Sequence, residues 1–171
     1  HWKEIDKVRG QISGIELLCG VECDILEDAT LDLPDDVLKQ ADWVLAVLHY
    51  GLKQPREKIM ERLMTAVRCP YVDAIGHPTG RLIDRRAGLP IRFEPVFKLA
   101  AETGTALEIN SSYPRLDLNE TNARSAIESG VMLSINTDAH SPDELDLIPY
   151  GLNVARRAWA TKKNVINCMT W

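Results

Sequence analysis

The sequence predicts an α/β fold: parallel strands alternating with helices, arranged as the larger part of a barrel that lacks its beginning. Three observations predict it. Short aliphatic runs alternate along the chain with stretches of helical spacing, the order that gives a parallel sheet with helices outside it. Every histidine except His1 stands at the end of an apolar run, His49 after Val44–Leu48, His77 after Val72–Gly76 and His140 after Met132–Ile135. Reactive side chains placed where buried strands stop are how a parallel barrel builds its active face. Finally, about five β/α units fit into 171 residues, whereas a closed eight-unit barrel takes about 250.

The strands are expected at 17–25, 42–49, 71–76, 106–111 and 132–137. Between them, 55–68 repeats Ile59, Leu63 and Val67 at helical intervals, and 93–103 does so with Val96, Leu99 and Ala100. A third helix over 119–129 carries Ala123, Ala126 and Ile127, with Asn119 or Asp117 near its start and Gly130 beyond its end. Gly104 closes the 93–103 helix in the same way. Ser141-Pro142-Asp143-Glu144 reads as a helix start with Ser141 as cap. The helical stretch that follows, to Ala160, is expected to break near Pro149-Tyr150-Gly151. Trp43 and Trp159 are expected to pack helices onto the barrel, and Arg156 and Arg157 to lie on a helix exterior.

Composition narrows the function. At 45% hydrophobic and 6% aromatic, the chain has an aliphatic core and the size of one domain. No run of 18 apolar residues calls for a transmembrane helix, and the polar opening His1 to Lys7 is no signal peptide. A net charge of −5 argues against nucleic-acid binding by bulk electrostatics alone, although bound divalent ions would alter the local potential. Cys19 and Cys23, about 13 Å apart on one strand, are too distant for a disulfide. Reduced, structural thiols in a cytoplasmic protein are the expectation.

The chemistry lies in Gly20-Val21-Glu22, Leu48-His49-Tyr50, Gly76-His77-Pro78-Thr79-Gly80-Arg81 and Thr137-Asp138-Ala139-His140. Residues two apart in an extended segment share a face, so Asp138 and His140 are expected to look into one cavity. Two carboxylates with three imidazoles suit zinc, manganese or iron. Of the weaker candidates, Asp24 shares a face with Glu22, and Glu108 and Asn110 alternate toward the cavity. Arg81 could reach a substrate phosphate. Arg115 and Asp117 form a loop-fixing pair or line the substrate groove.

These strings, taken in order with Glu108-Ile109-Asn110, resemble the later motifs of the PHP (polymerase and histidinol phosphatase) phosphoesterases. More narrowly, Glu22-Cys23-Asp24-Ile25-Leu26, Leu31 to Asp35, Asp42-Trp43-Val44, Arg115 to Leu118 and Ala155 to Trp159 resemble the PHP domain at the C-terminal end of bacterial and archaeal family X DNA polymerases. The resemblance covers nearly the whole chain. It implies an incomplete (β/α)7 TIM-like barrel, with residues 1–171 forming the C-terminal portion of a larger PHP domain. It further implies up to three divalent metals, Mn²⁺ or Zn²⁺, in the complete domain, with Glu22 bridging and His49, His77, Asp138 and His140 as terminal ligands. Glu22, Asp138 and His140 would be the catalytic residues, and Arg81, Asn110 and Arg115 would contact substrate. Asp24 and Glu108 would support the ligands.

The family's opening H-x-H motif has no counterpart here, and His1 lies too close to the Glu22 strand to replace it. One complete metal site is therefore expected, the other two lacking ligands that a preceding N-terminal part would supply in the parent. The implied activity is phosphoester hydrolysis at DNA 3′ ends, as exonuclease or phosphatase, within a repair polymerase. A histidinol-phosphate-type phosphatase and a non-catalytic scaffold are the alternatives. The open side of the barrel also predicts self-association.

Overall fold

The two-residue alternation of side-chain direction along the strands sets the architecture. In the computed structural model, which describes residues 2–169, five strands form one sheet: β1 (Gly20–Asp24), β2 (Trp43–Val47), β3 (Ala74–Ile75), β4 (Ala106–Asn110) and β5 (Leu133–Asn136). All neighbours are parallel, and spatial order equals chain order. His1 lies outside the described residues. The helices are α1 (Trp2–Arg9), α2 (Asp35–Leu38), α3 (Arg56–Arg68), α4 (Phe93–Thr103), α5 (Glu120–Glu128) and α6 (Ile148–Arg157). The molecule is an incomplete TIM-like barrel of five β/α units.

One face of the sheet makes the core. Cys23, Ile25, Val44, Ala46, Leu107, Ile109, Leu133 and Ile135 pack against Ile59, Leu63 and Val67 of α3, Val96, Phe97 and Ala100 of α4, and Ala123 and Ala126 of α5. The opposite parity, Glu22, Leu45, Glu108 and Asn136, lines the barrel interior, as the two-residue period of a strand requires. Gly76, just past β3, must be small. A β-carbon there would stand 2.8 Å from Val47 Cγ1 and 2.9 Å from Leu45 Cδ2, both interior side chains of β2.

Several elements differ from expectation for identifiable reasons. β3 has two residues rather than six, because Tyr71 and Val72 belong to the turn closed by Val72 N–H on the Cys69 carbonyl. Asp73 then anchors the strand by accepting the Val44 N–H at 2.7 Å. Ser141 makes no side-chain cap; Pro142–Leu147 is a 3₁₀ turn, and the Glu144 carboxylate accepts the His140 N–H at 2.6 Å. The break expected at Pro149 to Gly151 is instead the first turn of α6, where proline is tolerated because its missing N–H has no helical partner. Trp43 lines the open interior with Gly20 and Asn136 rather than packing helices. Trp159 is also misassigned: it is 71% exposed, with the Arg124 guanidinium 3.6 Å over its ring. Arg157 is exterior as expected, paired with Glu120 at 2.7 Å. Asn119 caps α5 through Asn122 N–H at 2.8 Å, and Gly104 ends α4 in the left-handed region at φ 81°.

The two outer strands are treated unequally. Past β5, Val165 forms a single parallel bridge to Leu133. The Asn167 side-chain amide accepts from Ile135 N–H at 2.8 Å and donates to the Ile135 carbonyl at 3.1 Å. One amide thus imitates a neighbouring strand. Among the described residues β1 pairs with β2 alone. All four cysteines are free, three of them at least partly buried and Cys168 exposed. No helix among the described residues is long and apolar enough to cross a membrane.

Candidate metal centre

The C-terminal ends of β1, β2 and β3 converge, and each delivers one side chain. Glu22 comes from within β1, His49 from two residues beyond β2 and His77 from two residues beyond β3. One ligand atom from each lies within 4.8 Å of the other two. His49 Nε2 stands 3.5 Å from Glu22 Oε1, and His77 Nε2 stands 3.9 Å from the same oxygen. The two imidazole centroids are 5.0 Å apart.

Both histidines have an acidic neighbour. Asp24 Oδ1 lies 3.1 Å from His49 Nδ1 as a neighbouring charge, without hydrogen-bond geometry. His77 sits at φ 29°, and its backbone N–H donates to Glu108 Oε2 at 2.5 Å. Glu108 is almost wholly buried and also accepts from Asn136 Nδ2 at 3.0 Å and from Asn110 at 3.4 Å. Burial pushes its carboxyl up to about 7. Glu108 therefore braces the His77 backbone.

The donor set fits a divalent cation. His77 is 1% exposed, and neither ring nitrogen has a hydrogen-bond partner. Orphaned buried polar atoms cost about 1–3 kcal/mol each, so such a ring calls for an electrophile. Burial first, then Arg115 and His49, push its pKa down to about 3, which keeps the lone pair free at neutral pH. Burial and the nearby Asp138 raise the Glu22 carboxyl, a repulsion that a cation relieves. Two nitrogens and a carboxylate oxygen suit zinc or manganese.

The remaining candidates fall around this triangle. Asp138 lines the same interior cavity as Glu22 and Glu108, with Oδ2 accepting from Asn110 at 3.2 Å and lying 3.6 Å from Arg115 Nε. Its φ of 57° ends the strand alternation, so His140 is not carried into the triangle. The His140 ring is 82% exposed, with Nδ1 2.8 Å from the Asp138 carbonyl. Asn110 is fully buried, its amide committed to Glu108, Asp138 and the Ser112 N–H, which places it behind Asp138 rather than on the open cleft. Arg81 donates to the carbonyls of Arg115 and Leu116 and so holds that loop. Arg115 does not pair with Asp117; it faces Asp138, and its Nη1 is buried without a partner. Asp117 instead accepts the Thr79 N–H and hydroxyl, at 2.9 and 2.8 Å.

One supporting residue carried no sequence signal. Arg62 lies on the apolar face of α3 and is fully buried. It donates to the Ile25 carbonyl just after β1, and to Gly51 O at 3.5 Å and Gln54 Oε1 at 3.0 Å after β2. It ties the loop after Asp24 to the loop after His49. Gly51, at φ 62°, leaves the guanidinium its space: a β-carbon there would lie 2.8 Å from Arg62 Nη1.

Known proteins are similar to this sequence. The chain is 48% identical over 165 residues to the DNA polymerase/3′-5′ exonuclease PolX of Bacillus subtilis, a match covering 96% of this chain and 29% of that protein. It is 35% identical over 167 residues to a probable phosphatase of Thermoanaerobacter sp. strain X514, covering 92% of this chain and 66% of that protein. A probable phosphatase of Acetivibrio thermocellus is 30% identical over 148 residues, with 59% of its length covered. The chain thus spans less than two thirds of each of these relatives. No family model matches.

Proposed function

Because the chain belongs to the PHP family of phosphoesterases, we propose that it is the metal-binding part of a hydrolase acting on DNA 3′ ends, as exonuclease or 3′-phosphatase within a family X polymerase. The observation that carries the DNA reading is the 48% identity to PolX across 96% of this chain, against 30% to 36% to the probable phosphatases. The chemical part rests on the triangle around His77.

Glu22, His49 and His77 would hold one divalent cation. When bound, such an ion supplies Lewis-acid activation of water and of the phosphoryl group. The chain's own residues do the rest. Asp24 places a carboxylate beside His49 Nδ1, and Glu108 fixes the His77 backbone. Arg115, with a buried and unbonded Nη1 beside Asp138, offers a cation to a phosphate oxygen. Asp138, at the edge of the same cavity, and exposed His140 stand toward the open side, where further ligands from a preceding segment would complete a larger cluster. With Arg81 and Asn110 committed to protein groups, the phosphate-contacting role we assign rests on Arg115.

Metal content by mass spectrometry, paired with turnover, tests the reading. Purified protein should hold about one transition metal per chain, and the His49→Ala, His77→Ala double variant should hold none. With metal restored, the chain joined to its preceding segment should release phosphate or nucleotides from a 3′-phosphorylated primer faster than it cleaves histidinol phosphate. The reverse preference would identify a small-molecule phosphatase. Bound metal with neither activity would identify a scaffold.

A further inference from the structure

Next to the metal centre, sharing Asp138 with it, the loops after β3, β4 and β5 enclose a second cleft of about 450 Å³. Arg85, Tyr113, Arg115, His140 and Glu144 stand in its wall. Three features of it serve nothing in the fold. Tyr113 is 65% exposed, a whole aromatic ring left to solvent beside the site. Arg115 Nη1 is buried with no acceptor. Arg85 is exposed, and its guanidinium makes no hydrogen bond or ion pair among the described residues.

We infer that this cleft is a nucleoside subsite, in which the terminal base of a nucleic-acid 3′ end stacks on Tyr113 while its phosphate meets Arg115. The inference rests on the DNA reading above and adds to it the element that recognises the nucleoside. An exposed aromatic side chain beside arginines is how single-stranded ends are gripped without choosing a sequence, because every base has a π-face. The charges agree with such an occupant. The 82–85 and 113–115 loops contribute arginines for the phosphate. The turn after β5 contributes Asp143 and Glu144, which accept from base amino groups and repel a polyanion continuing past the terminal residue. Asp138 joins the two compartments, so a phosphate held at Arg115 lies at the border of the metal centre.

Fluorescence tests this independently of turnover. The probe is a short DNA strand ending in 2-aminopurine with a 3′-thiophosphate, which slows hydrolysis, titrated with the Zn²⁺-loaded protein. Stacking on Tyr113 should quench the base saturably. Tyr113→Ala should weaken binding about tenfold or more, and Tyr113→Trp should restore it. Because Tyr113 is exposed on a loop, neither substitution disturbs the core. An unquenched base, or equal binding by Tyr113→Ala, overturns the subsite. Failure of the DNA reading shows elsewhere, as absent release of product from DNA ends, whatever the fluorescence does.

Discussion

Asp117 carries a carboxyl group with no access to solvent, one oxygen bonded to Thr79 and the other unpartnered. Burial outweighs the Thr79 bonds and nearby Arg81 and raises its pKa to about 6. A carboxyl whose folded pKa exceeds its unfolded value binds its proton more tightly when folded. Its stabilisation is fully present below the unfolded value near 3.8 and is lost as pH rises through about 6. Two pH units correspond to at most about 3 kcal/mol. Asp117→Asn keeps an acceptor for Thr79 and removes the titration. The stability difference between wild type and Asp117→Asn, from urea unfolding at pH 4 and pH 7, should therefore shift in favour of the variant by roughly 2–3 kcal/mol at the higher pH. A difference that stays constant would mean that Asp117 is charged throughout. Nothing in the string Arg115-Leu116-Asp117-Leu118 separates this buried acid from a groove residue, because the decisive neighbour, Thr79, is distant in sequence.

Among the elements, α3 holds the site most directly. Its Arg62 spans the loops that follow β1 and β2, so Asp24 and His49 keep their spacing through one guanidinium. Arg62→Met fills the space but leaves the Ile25 carbonyl and Gln54 without donors, and should cost about 2–4 kcal/mol in urea unfolding. Arg62→Lys should recover only part, because an ammonium cannot reproduce the fork. Metal affinity should fall in both, measured by competition with a chromogenic chelator. The core-facing strands and the helices α3, α4 and α5 were legible because aliphatic residues repeat at periods of two and near four. Arg62 was not, since a charged residue in an amphipathic helix reads as solvated. Asp138 and His140 line one cleft as expected, but His140 stays outside the triangle because alternation holds only while the backbone is extended, and Asp138 at φ 57° ends it. The candidate ligands Glu22, His49 and His77 were legible because each terminates an apolar run.

For the molecule as a whole, unequal edges decide its behaviour in solution. Asn167 occupies the edge of β5, while the outer backbone of β1 has no strand beside it among the described residues. Unpaired edges invite pairing with another chain. Sedimentation velocity should show concentration-dependent dimers of this chain. A monomer at high concentration would show that the Gly20–Asp24 edge is protected by other means.

The strands stand in the sheet in the order in which they are translated, and this makes the metal site an early event. Glu22, His49 and His77 all lie in the first half of the chain, and each strand docks on the one made just before it. Parallel pairings of this kind are non-local and slow to form, but each strand's partner precedes it in the chain, so the sheet can extend as the chain emerges. The three candidate ligands are thus all made before Glu108. When β4 is added, the Glu108 carboxylate accepts the His77 N–H and fixes the backbone that carries this imidazole.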